Sequence, residues 1–266
     1  MINNDLEAYK IIVERIQKRD LVENERKILS FVSLLMKDYS FVKNQTYPRP
    51  FHPDIDKRKD AYFTLIAIIL SLRTTLENEQ KAVNLFMKKY HSIEEVVNCD
   101  IKELKTVISC AGMSTKKSKI ILEVSNLIIK NYSGDINNIN TGDISKTREN
   151  LMKLPGIGDK SADCLLELAF NLPSIVVDTN VFRVVTRLFF DKTDMSFTRK
   201  RDVLKVKEFL EKNIVKDFRI FQIVHTILLL HGKYICKSIP NCNECKVNRN
   251  CNYYSSADHN EQLTLF

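Results

Sequence analysis

The 266-residue sequence predicts an all-helical protein, and three observations carry that expectation. Only six Gly and six Pro interrupt the chain. Its apolar residues recur at helical spacing instead of alternating as in half-buried strands. No internal repeat is present, which excludes solenoid architectures. With 44% hydrophobic and 28% charged residues, the composition is that of a globular protein. It excludes wholesale disorder, collagen-like repeats and a multispanning membrane protein. The longest apolar stretch, at 61–72, is about 12 residues long, short of the roughly 20 that cross a bilayer. The opening MINNDLEAYK lacks the basic flank and apolar core of a secretory signal, so a cytoplasmic protein without a membrane partner is expected.

The elements follow from local patterns. Ile28, Leu29, Phe31, Val32, Leu35 and Met36 form a helical stripe, and Pro48, Pro50 and Pro53 mark a loop, since proline lacks an amide proton and restricts its predecessor. From Asp60 or Ala61 a helix runs that is apolar enough to be buried on most sides, ending near Ser71-Leu72-Arg73-Thr74-Thr75. Further stripes fall at Ala82, Val83, Phe86 and Met87; at Leu104, Val107 and Ile108; and at Ile120, Ile121, Val124, Leu127 and Ile128. Residues 131–141, rich in Asn, Ser and Gly, read as a loop. Asp143 is placed to cap a helix reaching Lys153, which Leu154-Pro155-Gly156-Ile157-Gly158 breaks. A second helix starts near Asp159 or Lys160 and turns Ala162, Leu165, Leu166 and Ala169 inward. This is a helix-hairpin-helix pattern at about 145–170.

Forty-one Lys and Arg against 33 Asp and Glu give a net charge of +8, which favours a polyanionic partner without locating the charge. The hairpin offers one location. Gly156 and Gly158 lack a Cβ, so their backbone can approach a phosphate closely and present amides at a helix N-terminus; an ordinary tight turn has the same sequence. Lys160 follows in the first turn of that helix. The positive end of the helix dipole and partial burial both disfavour an ammonium there and help expose the amine needed for Schiff-base chemistry. Eighteen residues on, Asp178 precedes Thr179 and the apolar Val181, Phe182, Val184 and Val185, which also suits a helix N-cap.

Seven cysteines divide into two groups. Cys99, Cys110 and Cys164 sit among apolar residues, as reduced core thiols do in a cytoplasmic chain. Cys236, Cys242, Cys245 and Cys251 fall in one short window with spacing C-x5-C-x2-C-x5-C. Four thiolates so placed can enclose one inorganic centre, either structural zinc or an iron-sulfur cluster. Zinc ribbons usually pair two close C-x2-C hairpins, and longer gaps suit a bulkier cubane.

Together these elements resemble the endonuclease III branch of the helix-hairpin-helix (HhH-GPD) DNA glycosylases. The resemblance rests on Leu154-Pro-Gly-Ile-Gly-Asp-Lys160-Ser-Ala, Val177-Asp178-Thr179-Asn180-Val-Phe-Arg-Val, Leu230-His231-Gly232-Lys233-Tyr234-Ile-Cys236 and the cysteine loop. Ile69-Leu70-Ser71-Leu72-Arg73-Thr74 is similar to the family's pocket-lining segment. The likeness runs over about 60–254. It implies two interleaved helical domains with a cleft between them: a six-helix barrel at 54–171 carrying the hairpin, and a domain of 1–53 plus 172–255 carrying an iron-sulfur cluster loop at 236–251.

The same resemblance implies a base-excision-repair enzyme, both DNA N-glycosylase and abasic-site lyase. It would remove oxidised or otherwise damaged pyrimidines and cleave 3′ to the abasic site by β-elimination. Lys160 stands at the family's nucleophile and Asp178 at its catalytic carboxylate. Arg73 and Met113 fall where the family fills the helix vacated by a flipped nucleotide, although a phosphate-contacting Arg and a core Met fit the same residues. Gly156, Gly158 and Arg183 belong to its DNA-binding segments. Cys236, Cys242, Cys245 and Cys251 match the ligands of one 4Fe-4S cluster, with zinc as the alternative. Double-stranded DNA bearing damaged bases or abasic sites is the implied partner of a monomeric, nucleoid-associated bacterial enzyme. Lys116, Lys117, Lys160, Arg183, Arg187, Lys233, Lys237, Lys246 and Arg249 accompany these motifs and are expected to face the DNA.

The chain departs from the family in four places. The first cysteine gap is five residues where six is usual, Leu76 replaces a common Asp beside Glu77, and Asn180 replaces a common His. Residues 1–49 form an N-terminal extension expected to pack as helices on the cluster domain. Other readings are a thymine or uracil mismatch glycosylase, whose pocket segment Leu72-Arg73-Thr74-Thr75 resembles but which generally lacks the lysine, and a non-catalytic structure-specific DNA-binding protein. The tail at 256–266 ends in Glu261-Gln262-Leu263-Thr264-Leu265-Phe266 and resembles the short peptide that docks bacterial repair proteins on the DNA sliding clamp. There Gln262 would bond at the pocket mouth, and Leu263, Leu265 and Phe266 would supply apolar surface; a tail folded on its own core has the same composition.

Overall fold

A computed structural model of the chain describes residues 2–38, 61–190 and 194–255. The proline loop with Pro48, Pro50 and Pro53, Asp60, and the tail with Gln262, Leu263, Leu265 and Phe266 lie outside the described residues. Among those described, every regular element is helical, as the apolar spacing predicts. The chain divides into two compact units, one of Pro53–Ser174 and one of Met1–His52 with Ile175–Phe266.

The N-terminal extension forms α1 (Ile2–Ile16) and α2 (Glu23–Asp38). Arg15 clamps the two in a fork, its Nε and Nη2 each 2.9 Å from a carboxylate oxygen of Glu25. Glu25 is buried and also accepts the amide of Val215 at 3.0 Å, so a charged group inside the unit has all of its charge answered.

The central unit follows with α3 (Ala61–Ser71), α4 (Leu76–Lys89), α5 (Ile93–Val97), α6 (Ile101–Val107), α7 (Ser114–Tyr132), α8 (Ile144–Met152) and α9 (Asp159–Leu168). In α3 every residue from Ala61 to Leu70 except Thr64 is buried, because α4, α7 and α9 pack around it. Each of its large apolar side chains contributes roughly 1.5–3 kcal/mol by leaving water. Short polar residues start most of these helices. Thr75, Ser92, Asp100 and Asp143 each accept an amide from the first turn that follows, satisfying donors no helical carbonyl can reach. Residues 131–141 are more ordered than a loop. A single 3-10 turn, Ile136–Ile139, is capped by Asp135 and buries both isoleucines, an apolar pair that the surrounding asparagines mask in the sequence.

The chain then returns to the first unit with α10 (Thr179–Phe189), α11 (Lys200–Asn213), α12 (Phe218–Tyr234) and α13 (Asn252–Ser255). Helix α12 is its axis, packed by α1, α2 and α10. The closest approach is at Gly232, where a Cβ would stand 2.7 Å from the Cβ of Asn180 and 3.0 Å from its backbone. Only a residue without a side chain lets α10 and α12 meet there.

Candidate active site

The hairpin forms as the sequence implies. Helix α8 ends at Met152, and Leu154 and Ile157 bury their side chains. Gly156 takes a left-handed φ of +76°, with the space its Cβ would occupy filled by Ile120 Cγ2 at 2.8 Å. Gly158 then opens α9 in extended conformation with nothing within 4 Å of where a Cβ would be. No side chain caps this N-terminus, and Lys160, its second residue, is exposed, without the partial burial expected from the sequence, because the open turn at Gly158 leaves it at the surface. Its backbone amides therefore face solvent at the positive end of the helix dipole.

Sequence reading missed the residue that fixes the hairpin angle. Arg148 of α8 donates from Nη2 to Asp159 at 2.7 Å and from Nε to Asp163 at 2.8 Å. One guanidinium thus holds both carboxylates of the first turns of α9, beside Lys160. The pairing spans eleven and fifteen residues and has no periodic signal; it exists only once the turn brings α8 back along α9.

Asp178 belongs to the other unit. It is buried, and Oδ1 accepts the amides of Asn180 at 2.9 Å and Val181 at 2.8 Å, with Asn180 Nδ2 at 3.4 Å from Oδ2. The N-cap geometry is therefore real, and the carboxylate has a fixed orientation.

Arg73 and Met113 both lie in the central unit and share an unusual backbone. Each is a non-glycine residue in the left-handed region, with φ of 51° and 50°. Met113 is 44% exposed, which excludes the core role open to it in the sequence. Arg73 is exposed as well. Lys117 departs from expectation: grouped by sequence with DNA-facing cations, it is buried, and its ammonium bonds backbone carbonyls. A signal for this was present. Lys117 stands at i, with Ile121, Val124 and Ile128 at i+4, i+7 and i+11, and so lies on the inward face of α7.

Arg183 and Arg187 are turned to internal carbonyls around the cysteine loop. Arg183 donates to Cys236 O and Gly232 O, both at 2.7 Å, and to Asn180 Oδ1 at 2.8 Å. A phosphate contact from Arg183 would have to use its exposed Nη1 edge. Arg187 donates to Lys237 O at 2.6 Å and Ser238 O at 2.9 Å, and its guanidinium lies 4.7 Å from the centre of the Tyr253 ring. These bonds pin the loop to α10 before any inorganic group is considered.

Cys236, Cys242, Cys245 and Cys251 line one pocket together with Leu188, Ile235, Tyr253 and Tyr254. Burial pushes the thiols of Cys242 and Cys245 up to about 11, and neighbouring cysteines add to it. A thiol desolvated in this way ionises more readily beside a cationic centre. Among the described residues no three His, Cys, Asp or Glu side chains come together closely enough for one metal ion; the sulfurs instead surround a shared space. Burial holds His231, whose Nε2 is 3.6 Å from Cys245 Sγ, down at about 4.

A family profile described as HhH-GPD superfamily base excision DNA repair protein matches residues 66–214. Endonuclease III of Rickettsia prowazekii (strain Madrid E) is 32% identical over 197 residues, covering 74% of this chain and 85% of that protein. A trapped endonuclease III–DNA covalent intermediate superposes with a TM-score of 0.67 at 26% identity, over 90% of this chain and 98% of that one. A thermostable thymine-DNA glycosylase superposes with a TM-score of 0.69 at 23% identity, over 86% and 97%, a likeness of fold.

Proposed function

The chain belongs to the endonuclease III family of HhH-GPD base excision DNA repair proteins, a family of DNA glycosylases and lyases, and we propose that it removes oxidised or otherwise damaged pyrimidines from double-stranded DNA and cuts 3′ to the resulting abasic site. The observation that carries this reading is Lys160: an exposed amine in the first turn of an uncapped helix, directly after a turn whose backbone is open to a phosphate. Its presence favours the lyase over a mismatch glycosylase that only hydrolyses the base.

In this reading the Lys160 amine attacks C1′ of an extruded nucleotide, the glycosidic bond breaks and the base leaves with a proton. Opening of the sugar leaves an imine between Lys160 and C1′. Loss of a proton from C2′ then expels the 3′ phosphate, and water hydrolyses the imine to regenerate the amine. Asp178, its orientation fixed by two backbone amides, is positioned to stabilise positive charge on the sugar. Gly156 and Gly158 would let the hairpin amides bond the DNA backbone. Arg73 would hydrogen-bond the base left without a partner, and Met113 would wedge into the gap.

The four cysteines line one pocket, and their C-x5-C-x2-C-x5-C spacing, with long gaps on both sides of the close pair, supports a 4Fe-4S cluster over zinc. Cys236, Cys242, Cys245 and Cys251 would hold such a cluster there, and it would cross-link the loop at 236–251 to itself as a scaffold. The tail at 262–266 would dock the enzyme on the sliding clamp. The activity is tested by incubating the protein with duplexes containing thymine glycol or an abasic site and then adding borohydride. A covalent protein–DNA adduct that is absent in Lys160→Gln is expected; no adduct with any abasic duplex would sink the lyase.

A further inference from the structure

We propose that Lys117 is a positioning residue for base extrusion: its buried ammonium ties together the two left-handed turns that present Arg73 and Met113, and so sets how those side chains are held toward the DNA. The proposal rests on the gap-filling reading of Arg73 and Met113 given above.

Lys117 is 2% exposed. Its Nζ donates to the carbonyl of Leu70 at 2.7 Å and to that of Ala111 at 2.9 Å. Leu70 lies in the last turn of α3, three residues before Arg73; Ala111 ends a 3-10 turn, two residues before Met113. Lys117 lies in the first turn of α7, whose main-chain bond from its amide to Met113 O at 2.9 Å sets the lysine directly beside that turn whatever its side chain. One ammonium thus bonds both segments that lead into the strained turns.

The arrangement also answers a local need. The last carbonyls of a helix have no partner within it and carry partial negative charge, so a cation is favoured there. Here that cation comes from a different helix, α7. Burial depresses the pKa of Lys117, and the charge of Glu79 on α4 opposes the shift. A residue of similar length without charge, such as Met, would fill the same space without the desolvation cost. What the ammonium adds is therefore the pair of carbonyl bonds, and their geometric effect is to fix two separate turns to one atom. Side chains that must enter a base stack need placement within about 0.5 Å, and such placement comes from the residues behind them.

The test uses the full chain and a duplex with 2-aminopurine opposite a tetrahydrofuran abasic analogue, which brightens when side chains displace the unpaired base from the stack. Each variant is measured at protein concentrations that saturate a gel shift. Wild type is expected to brighten the probe. Lys117→Met is expected to bind but to lose most of the brightening, while its nicking of a single-stranded abasic oligonucleotide, where no stack has to be filled, falls far less. General damage to the enzyme would lower both together, and that result overturns the role. So does wild-type brightening in Lys117→Met when the Arg73→Ala, Met113→Ala double variant has lost it. If that double variant brightens like wild type, the gap-filling reading itself fails, a separate outcome. Should Lys117→Met not fold, Lys117→Gln keeps a donor for one of the two carbonyls and is expected to brighten to an intermediate level; full brightening there overturns the proposal.

Discussion

Asp178 accepts the backbone amides of both Asn180 and Val181 through a single oxygen, so the carboxylate proposed for chemistry also closes the first turn of α10. The two roles separate by substitution. Asp178→Asn keeps an oxygen at the cap and should unfold within a few tenths of a kcal/mol of wild type, while losing base excision about a hundredfold or more. Asp178→Ala should lose the same activity and about 1 kcal/mol of stability besides. Thermal denaturation alongside single-turnover excision checks both, and full activity in Asp178→Asn would remove the carboxylate from the mechanism.

Gly232 is the point where α10 and α12 touch through backbone. A methyl group there meets both the side chain and the main chain of Asn180, and the main chain cannot rotate away. Gly232→Ala is expected to cost about 1–3 kcal/mol. Gly156→Ala meets only the flexible Ile120 side chain but must hold a left-handed φ, at roughly 1–2 kcal/mol. Chemical denaturation of the two variants measures these costs, and an unchanged midpoint for Gly232→Ala would mean that the helices can separate freely.

The cysteine cavity predicts iron. Protein purified without oxygen should hold about four irons per chain with broad visible thiolate-to-iron absorption. Cys245→Ser should lower the iron content and the melting temperature together, because the loop is tied down from that cavity. One zinc per chain and no visible absorption would assign the cavity to the other metal.

For the tail, deleting 262–266 should abolish retention on immobilised bacterial sliding clamp without changing excision from short duplexes. Retention that survives the deletion would refute the docking role.

Much of the candidate site was legible because its signals are local. Asp143, Asp159 and Asp178 fall at helix starts, where a short polar side chain or a negative charge answers unpaired amides. Leu154 through Lys160 encodes a turn whose left-handed position falls on Gly156. The four cysteines announce a shared cavity by their spacing alone. Tertiary pairings were not legible in the same way. The Arg148 fork depends on an antiparallel return of the chain that no window of sequence displays. Lys117 sits in a basic run that reads as a solvated face, and only its register with Ile121, Val124 and Ile128 betrays the burial. Arg183, expected at the DNA, is held by carbonyls of α12 and the cysteine loop that lie about fifty residues away. The 3-10 turn at Ile136–Ile139 was hidden because two buried isoleucines are too few to make a period.

In the proposed reaction Lys160 forms the covalent link to the sugar. The most direct test is to trap the protein on an abasic duplex with borohydride, digest the adduct and locate the modified residue by mass spectrometry. The reduced sugar is expected on Lys160 Nζ. A modification on a different amine would contradict the account.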